Sequence, residues 1–373
     1  MIENMTQIRR LPLHAVHQKL GAKIGAFGEW EVPLYYEKTG IISEHEAVRA
    51  KAGIFDISHM GEIFVEGPKA RETLEHLLSN HISKLILGKA IYSPMLNEQG
   101  GFVDDVIVYQ IGNESYLVIV NASNVAKDYE WMLSHNPYNA AITNRSEEFG
   151  LLSIQGPNSL KILKKIFPEP LEILSYYSIA KSSKPWADTW IARTGYTGEL
   201  GYEILLKNQY LEKAYEMMMD QGKEFGILPI GFGARDTLRL EAKMPLYGQD
   251  MNDEATPLEA GLDWAVFFDK SFIGKEALLK QKKVGLPKKL VGFEMIDRGL
   301  ARHDYAVTKN GKTVGRVTSG SFAPTLKKNI GLAYVETNEA VIGNEIEILI
   351  RGTQTKARIV KTPFYKRNQK ELV

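Results

Sequence analysis

The chain has 373 residues, of which 46 are lysine or arginine and 45 are aspartate or glutamate, so its formal net charge is +1. A general nucleic-acid-binding protein needs a surplus of basic residues for its phosphate contacts, and this balance argues against one. The chain has no cysteine, which excludes disulfides, thiolate metal ligands and a cysteine nucleophile.

The same inspection disfavours two further classes of protein. No stretch approaches the ~20 consecutive apolar residues of a membrane-spanning helix. The 8 histidines are scattered rather than grouped at ligand spacing, so we expect no metal site. Residues Met1 to Leu20 contain neither the apolar segment of a signal peptide nor an Arg- and Ser-rich amphipathic run. We therefore expect a cytoplasmic protein that binds neither nucleic acid nor membranes.

The first three quarters of the chain alternate short helices with strands. Helical spacing of apolar residues and runs of β-branched residues predict these elements. The predicted helices are Glu44–Ala52, Lys69–Ser79, Val125–Ser134, Pro157–Ile166 and Gln209–Gln221, and the predicted strands are Glu62–Glu66, Val103–Gln110, Ser115–Val120, Leu151–Gln155, Trp190–Arg193 and Gly201–Leu206. Because hairpin signatures join neighbouring strands, an antiparallel α+β fold is favoured over a doubly wound parallel sheet.

The composition changes after about Lys280. Lys282, Lys283, Lys288 and Lys289 surround Gly285 and Pro287, a pattern that predicts a solvated linker. Short β runs follow, separated by turn sequences such as Asn-Gly, and they are Leu290–Met295, Tyr305–Lys309, Lys312–Thr318, Ile330–Val335, Glu345–Ile350 and Lys356–Val360. This part therefore predicts an all-β C-terminal domain, either a small barrel or a jelly roll.

The segment Gly100-Gly101-Phe102-Val103-Asp104-Asp105 is the first of three clusters that could carry chemistry. Its two glycines predict a tight turn, after which a strand begins with adjacent carboxylates. Since neighbours on a strand point to opposite faces, only one of Asp104 and Asp105 can face a given pocket, and Asp105 shares the parity of Ile107 and Tyr109. A hairpin corner with solvated carboxylates is the alternative interpretation.

The second cluster is the glycine-rich segment from Arg193 to Glu203. Its three glycines predict a bent loop that lets a ligand approach the backbone closely. The glycine spacing fits neither a Walker A loop nor a dinucleotide fingerprint. Tyr196 offers an aromatic face, and Glu203 offers a carboxylate that can accept paired N–H donors. A glycine-rich hairpin with exposed polar residues is the alternative.

The third cluster covers residues 231–242 and predicts a helix. Arg235 and Arg239 share one face of that helix, because they lie one turn apart. An arginine near a helix start can bind a carboxylate through two parallel hydrogen bonds. The alternative is an internal ion pair with Asp236 or Glu241 as the partner.

Taken together, in their order and spacing, these clusters resemble those of the glycine cleavage T-protein family, the tetrahydrofolate-dependent aminomethyltransferases. The resemblance covers the chain from end to end. Beside the three clusters, it includes Phe27–Tyr36, Phe55–Gly61, Tyr247–Met251, Phe272–Ala277, Thr318–Leu326 and Pro363–Tyr365. Leu200 is a mild departure, because many members carry a small or acidic residue there.

The resemblance implies a fold and a domain organisation. The family's fold is a three-domain cloverleaf of antiparallel α+β domains with folate bound in the central opening. By this resemblance, residues 1–53 and 142–280 form a discontinuous first α+β domain, and residues 54–141 form an inserted antiparallel α+β domain. Residues 281–373 then form the C-terminal β-barrel domain.

The resemblance also implies roles for individual residues. Asp105 matches the family's essential carboxylate, Glu203 matches its pterin-binding glutamate, and Arg235 matches the arginine that meets the folate. Aromatic and apolar contacts to the folate carry over to Met60, Tyr92, Tyr116, Ile119, Tyr176, Tyr196 and Trp264, and contacts around its glutamate tail carry over to Arg302 and to Tyr365 or Arg367.

The implied reaction suits these residue types. The family transfers the methylene of an aminomethyl group from the lipoyl arm of a carrier, the H protein, to tetrahydrofolate; ammonia, 5,10-methylenetetrahydrofolate and dihydrolipoyl protein result. A carboxylate can accept the adjacent N–H donors of a pterin edge in parallel. A fixed carboxylate near the reacting nitrogens orients the cofactor and stabilises developing positive charge. The reaction requires no metal and no protein nucleophile.

Two other families with the same fold, and a folate-binding module without catalysis, are the alternatives. Folate-dependent demethylases are fused to a flavin domain with a G-x-G-x-x-G start, and this chain has no such segment. Folate-binding proteins linked to iron–sulfur and tRNA modification carry a cysteine motif, which a chain without cysteine cannot have. A folate-binding module without catalysis would keep Glu203 and Arg235 but need not keep Asp105.

Overall fold

The computed structural model describes residues 8–367, and within them the chain groups into two compact units. The first unit comprises residues up to Arg71, Leu85–Ile91 and Ile107–Asp236, and the second comprises Glu72–Lys84, Tyr92–Val106 and the chain from Thr237 onward. The division into three domains expected from the resemblance stays a prediction.

Helices stand between runs of strands along the chain, as is usual in an α+β fold. The helices are α1 (His14–Lys19), α2 (Gly40–Ala50), α3 (Ala70–Leu77), α4 (Val125–Ser134), α5 (Ser159–Leu163), α6 (Asn208–Gly222), α7 (Phe232–Glu241) and α8 (Lys275–Val284). Among the residues described, no helix is both long enough and apolar enough to cross a bilayer.

The strands are shorter than the helices in most of the chain. They are β1 (Arg9–Arg10), β2 (Ala22–Phe27), β3 (Trp30–Tyr36), β4 (Ala52–Asp56), β5 (Gly61–Glu66), β6 (Ala90–Leu96), β7 (Phe102–Gly112), β8 (Ser115–Val120), β9 (Ala141–Asn144), β10 (Phe149–Gln155), β11 (Ile179–Ser182), β12 (Thr189–Ala192), β13 (Gly201–Lys207), β14 (Ile227–Pro229), β15 (Lys288–Met295), β16 (Ala306–Lys309), β17 (Lys312–Ala323), β18 (Lys328–Glu336), β19 (Glu345–Ile350) and β20 (Thr353–Val360).

A six-stranded sheet forms the centre of the first unit, in the order β11-β12-β13-β10-β4-β14. Every residue of its inner strand β10 is buried, which explains the nearly continuous apolar run in the sequence. Helix α6 covers this sheet with Leu211 and Met218, which pack in one core with Leu152 and Ile204. Burying each such side chain contributes roughly 1.5–3 kcal/mol. This core fixes strands β10 and β13, from which the candidate site is built.

Two further sheets complete the α+β part. A three-stranded sheet has the order β1-β3-β2, and a five-stranded sheet has the order β6-β7-β8-β5-β9. Strands β6 and β7 run from one unit into the other along the chain. The predicted hairpin of Val103–Gln110 with Ser115–Val120 is confirmed as the antiparallel pair of β7 and β8.

The C-terminal part is a closed six-stranded barrel in the order β15-β18-β17-β16-β19-β20, with antiparallel neighbours throughout. Phe293, Val317, Val335, Ile348 and Ile359 fill its interior. Closure pairs every strand on both sides and leaves no exposed edge. The α+β prediction is therefore confirmed, and of the two all-β alternatives the barrel is the one that forms.

Several sequence predictions differ from the observed elements, and three of the differences have a clear physical reason. The expected linker is wrong at Lys282 and Lys283, which lie in helix α8, and at Lys288 and Lys289, which begin strand β15. Helix α2 covers Gly40–Ala50 rather than 44–52, since Ala52 already begins strand β4. Strand β17 continues beyond Thr318 to Ala323, and its added residues Ser319, Gly320 and Ser321 give no sequence signal for a strand.

Candidate functional site

The glycine-rich loop between β12 and β13 folds around the buried side chain of Gln155. Gln155 Nε2 donates to the Ser153 hydroxyl oxygen at 2.9 Å and to the Thr194 carbonyl oxygen at 3.2 Å. A Cβ added at Gly195 or at Gly201 would lie 2.2 Å from atoms of this side chain. Glycine is therefore needed at both positions so that the loop can close on Gln155.

Arg49, from helix α2, anchors the outer part of the same loop. Its Nη1 donates to the Thr197 carbonyl oxygen at 2.7 Å and to Glu199 Oε1 at 3.0 Å. The side chains of Arg49 and Glu199 are 9% and 4% exposed, so the ion pair is largely shielded from water. Because separating a buried pair leaves an uncompensated charge, this contact holds the loop in one conformation.

Glu203 lies on β13, opposite Ala192 of β12 and Ser153 of β10, and it is half-buried. Its carboxylate accepts a hydrogen bond of 2.5 Å from the Thr194 hydroxyl. Burial raises the pKa of Glu203, and the Thr194 hydrogen bond and the positive charge of Arg235 both act to lower that pKa. The site therefore holds a carboxylate in a poorly solvated place, where hydrogen-bond donors have a strong effect.

Arg235, from helix α7, lies beside this carboxylate. Its guanidinium carbon is 4.7 Å from the centroid of the Tyr196 ring, which is cation–π geometry. Its charge also acts on the pKa of Glu203 and on that of His59. Three of the residues singled out in the sequence, Glu203, Arg235 and Tyr196, are thus brought together in the first unit.

His59 is fully buried against the rings of Phe232 and Phe27, at centroid distances of 4.9 and 5.8 Å. Burial, followed by the charge of Arg235, lowers the pKa of His59 to about 3, so the imidazole is neutral. Its Nδ1 has no hydrogen-bond partner among residues 8–367. These features give His59 a packing role at the Arg235 end of the site.

Met60 follows His59 and is partly exposed. It lines a cleft of about 660 Å³ in the first unit, together with Ser58, His59, Arg9 and Trp30. Glu203 and Arg235 are not among the residues that line this cleft. Met60 therefore lines a cleft that is not lined by Glu203 or Arg235. It follows His59, whose pKa is lowered in part by the charge of Arg235.

Tyr176 belongs to a pair of tyrosines near the glycine-rich loop. It is 57% exposed and meets the Tyr177 ring edge-on, at a centroid distance of 4.8 Å. The Tyr177 backbone N–H donates to the Arg193 carbonyl oxygen at 3.1 Å, directly before Thr194. The exposed ring of Tyr176 is therefore available for stacking close to this loop.

Tyr116 and Ile119 point to opposite faces of β8, because they are three positions apart on one strand. Tyr116 is fully buried, and its hydroxyl accepts a hydrogen bond of 2.9 Å from Arg71 Nε. Ile119 is 9% exposed and pairs with Ile107 and Glu62 on the neighbouring strands. The two side chains cannot line one pocket, and the contacts of Tyr116 give it a packing role.

In the second unit, the turn before Asp104 and Asp105 is tightly docked. A Cβ added at Gly101 would lie 1.8 Å from the Asp253 carbonyl oxygen, and Gly100 has a φ of +85°. Asp104 is fully buried, whereas Asp105 is partly exposed, as strand alternation requires. The alternative of a corner with two solvated carboxylates therefore does not hold for Asp104.

Arg239 forms an internal ion pair, which is one of the alternatives for the third cluster, and Asp250 is one of its partners. It is 1% exposed, and its Nη1 donates to Asp250 Oδ2 at 2.6 Å. Its Nη2 donates to the Ser319 hydroxyl at 2.9 Å. Arg239 therefore has a structural role in the second unit.

The remaining predicted residues of the second unit are spread over several elements. The rings of Tyr92 and Trp264 stack at a centroid distance of 5.4 Å, and Trp264 is 58% exposed. Arg302 is exposed, Arg367 is partly buried, and the backbone N–H of Tyr365 donates to the Glu241 carbonyl oxygen at 2.8 Å. Within the described part of the chain, no group of three or more His, Asp or Glu residues could hold a metal ion.

Thr194, Gln155 and Arg49 are the site residues that the sequence did not single out. Their contacts with the loop or with Glu203 join elements far apart in sequence, such as Arg49 with Glu199. The glycines at 195 and 201 were the one available signal, since they indicate a close approach without identifying the side chain that makes it.

Comparisons with known proteins cover nearly the whole chain. The family model "GCVT N-terminal domain" matches residues 13–270, and "Glycine cleavage T-protein C-terminal barrel domain" matches residues 288–366. An aminomethyltransferase of Desulforamulus reducens is 49% identical over 364 residues, covering 97% of this chain and 100% of that protein. One from Listeria monocytogenes is 48% identical, covering 97% and 99%. The crystal structure of glycine cleavage system aminomethyltransferase T from Bartonella henselae matches with a TM-score of 0.91 at 33% identity, covering 96% of this chain and 98% of that one.

Proposed function

We proceed from the finding that this chain belongs to the glycine cleavage T-protein family and is an aminomethyltransferase, and we propose how it binds its substrates. Its one-carbon acceptor is tetrahydrofolate, and its donor is the aminomethylated lipoyl arm of the H protein. Ammonia, 5,10-methylenetetrahydrofolate and the dihydrolipoyl form of the H protein are the products. Bound tetrahydrofolate supplies the nitrogen nucleophile that accepts the methylene carbon.

The pterin edge is held by Glu203. A carboxylate can accept two adjacent N–H donors of a flat ring, and Glu203 has acceptor capacity left after its bond with Thr194. Arg235 lies on the Tyr196 ring and balances the charge of that carboxylate. This juxtaposition of Glu203, Arg235 and Tyr196 is the observation that carries the proposal.

The family resemblance supplies further candidates for contacts to the folate, and they are Met60, Ile119, Tyr92, Trp264, Tyr365 and the exposed ring of Tyr176. Arg302 and Arg367 suit its anionic glutamate tail. We leave Tyr116 out of this set, because its hydroxyl already accepts from Arg71 inside the core.

Asp105 is the proposed catalytic carboxylate. It is the member of the Asp104–Asp105 pair that is partly exposed, so it can meet a ligand. A fixed carboxylate stabilises the positive charge that develops on nitrogen as the carbon is transferred, and it orients the amine for attack. The chain needs no nucleophile of its own for this chemistry.

The test is an assay with aminomethylated H protein and tetrahydrofolate, in which ammonia and methylenetetrahydrofolate are both measured. We expect turnover by the wild-type chain, and for Asp105→Asn a loss of at least about a hundredfold in kcat with an unchanged thermal midpoint. A wild-type chain that binds tetrahydrofolate but releases no ammonia would instead support the non-catalytic folate-binding module. Full activity of Asp105→Asn would remove Asp105 from the reaction.

A further inference from the structure

The Thr194 hydroxyl lies between two other polar groups of the first unit. Its Oγ1 is 2.5 Å from Glu203 Oε2 and 3.0 Å from the Tyr109 hydroxyl oxygen. An ionised carboxylate only accepts hydrogen bonds, and a hydroxyl has a single proton to donate. Thr194 therefore donates to Glu203, and Tyr109 donates to Thr194, so the direction of both hydrogen bonds is fixed.

Both hydroxyl groups are held in place by their surroundings. Thr194 and Tyr109 are each 2% exposed. The Thr194 carbonyl oxygen also accepts from Gln155 Nε2 at 3.2 Å, which ties the backbone of Thr194 to strand β10. The Glu203 carboxylate consequently meets a donor that cannot rotate away into solvent.

The titratable and charged groups around Tyr109, Thr194 and Glu203 define the electrostatics of these two hydrogen bonds. Burial raises the pKa of Glu203, while the Thr194 hydrogen bond and the charge of Arg235 act against that rise. Tyr109 faces Glu203, Tyr176 and Tyr177, and burial followed by the Glu203 charge raises the pKa of its hydroxyl, which stays protonated. Arg235 is therefore the cation of this group, and Thr194 is its neutral donor to Glu203.

We propose that Thr194, held by Tyr109, is a positioning residue that keeps the Glu203 carboxylate ionised and turned so that it accepts the N–H donors of a pterin edge. One carboxylate oxygen bonds to Thr194, and the remaining acceptor positions are directed to the ligand. A protonated Glu203 would offer a donor where the ligand also presents donors. This inference rests on the proposed role of Glu203, and it assigns part of the folate affinity to Thr194 and Tyr109.

The decisive measurement is the pH dependence of tetrahydrofolate binding by Thr194→Val, followed by anaerobic titration calorimetry. Without the hydroxyl, the pKa of Glu203 rises further, and the ionised form that binds the ligand is lost at a higher pH. We expect affinity to fall about tenfold below wild type at the low-pH end of the titration, with the deficit shrinking as the pH is raised. Thr194→Ser keeps the donor and should restore wild-type affinity at each pH.

Thr197→Val is the matched control. Thr197 is also 2% exposed and lies in the same loop, but its hydroxyl donates to Gln155 Oε1 at 3.1 Å rather than to Glu203. We expect any loss of affinity in this variant to be the same at every pH. Tyr109→Phe removes the hydroxyl that donates to Thr194. Its loss of affinity should depend on pH in the same way as that of Thr194→Val, but it should reach only about two- to threefold.

The outcomes separate the inference from the proposed function. If Glu203→Ala leaves folate affinity unchanged, Glu203 is not in the folate site and the proposed function loses its site. If Glu203→Ala weakens binding but the deficit of Thr194→Val does not vary with pH, the inference is overturned and the proposed site stands. Should Thr194→Val fail to fold, Thr194→Ala removes the same hydroxyl with a smaller side chain, and Tyr109→Phe tests the chain from its other end.

Discussion

Arg235 and Arg239 lie one turn apart on helix α7, yet they serve two differently built polar clusters. Asp250, the partner of Arg239, accepts from Arg239 and from the Leu246 backbone N–H on one oxygen, at 2.6 and 3.0 Å. Its other oxygen accepts from the Thr318 and Ser319 hydroxyls, at 2.5 and 2.7 Å. Each of these acceptor positions is filled by the protein itself.

The cluster at Arg235 is built in the opposite way. Within residues 8–367, the Glu203 carboxylate accepts a side-chain hydrogen bond from Thr194 alone, and Arg235 lies on a tyrosine ring rather than in a close ion pair with Glu203. A poorly solvated carboxylate with unused acceptor capacity is costly unless water or a ligand uses that capacity. The comparison teaches that hydrogen-bond saturation, rather than burial or charge alone, separates the structural arginine, Arg239, from Arg235, the one proposed to act in ligand binding.

The largest expected effect is on stability, in Arg239→Met. This change leaves the Asp250 charge buried without its cation, so we expect the free energy of unfolding to fall by about 3–5 kcal/mol in urea titrations. Arg235→Met is the matched control on the same helix. Because Arg235 is partly exposed, this change should lower stability less than Arg239→Met does, and it should weaken folate binding. Equal losses of stability in the two variants would contradict the distinction between the clusters.

Glu203→Ala tests the other side of the comparison, with a smaller effect. A carboxylate that pairs with two N–H donors makes charge-assisted contacts worth on the order of 1.5–3 kcal/mol, so folate affinity should fall about ten- to a hundredfold. Because the protein supplies one hydrogen bond to this carboxylate, the free energy of unfolding should change far less than in Arg239→Met. Calorimetric titration and urea unfolding of the same preparation measure both quantities. An unchanged dissociation constant would remove Glu203 from the pocket.

The same contrast explains what the sequence could predict. The β-branched runs and Asn-Gly turns predict the barrel strands, because strand alternation and turn chemistry are local properties. Helix α8 was missed, since lysines on a solvated helix face look like a charged linker when Leu278 is the one fully buried residue in it. Strand parity correctly separated Asp104 from Asp105, because alternation needs no knowledge of the partner strand.

The site itself depends on long-range contacts that no local pattern encodes. In sequence, Arg235 and Arg239 are equivalent members of one helical face, and only the position of Asp250, Ser319 and Tyr196 in the fold distinguishes them. Glu203 and Arg235 were assigned through the family resemblance, and their roles stay predictions. Neither the local sequence patterns nor the family resemblance identified Thr194 and Gln155, because their contacts with Glu203 and with the loop form only in the folded sheet.

A third carboxyl group, that of Glu62, sharpens the comparison, because neither of its oxygens has a hydrogen-bond partner in the described part of the chain. Glu62 is 1% exposed on strand β5, and burial, followed by the charge of Glu147, raises its pKa well above the usual range. The folded state therefore keeps a proton that the unfolded state releases above about pH 4.5. The sign follows from this difference: stability is unaffected below that pH and falls as the pH rises toward the folded-state pKa.

Glu62→Gln replaces this group with a neutral one of the same shape, so the pH-dependent loss of stability should disappear. We expect the variant to be more stable than wild type by about 1 kcal/mol or more near pH 8, since one pKa unit corresponds to ~1.4 kcal/mol. Near pH 4 the advantage should nearly vanish, because most Glu62 groups are protonated there in both states. Urea unfolding at the two pH values gives both differences, and Glu147→Gln, which removes the weaker of the two causes, should show a smaller effect of the same sign.

An advantage that is equal at the two pH values would mean that Glu62 is ionised and solvated in the folded protein. Glu62 would then share the unfilled acceptor capacity of Glu203, and saturation could no longer separate a ligand-binding carboxylate from a structural one.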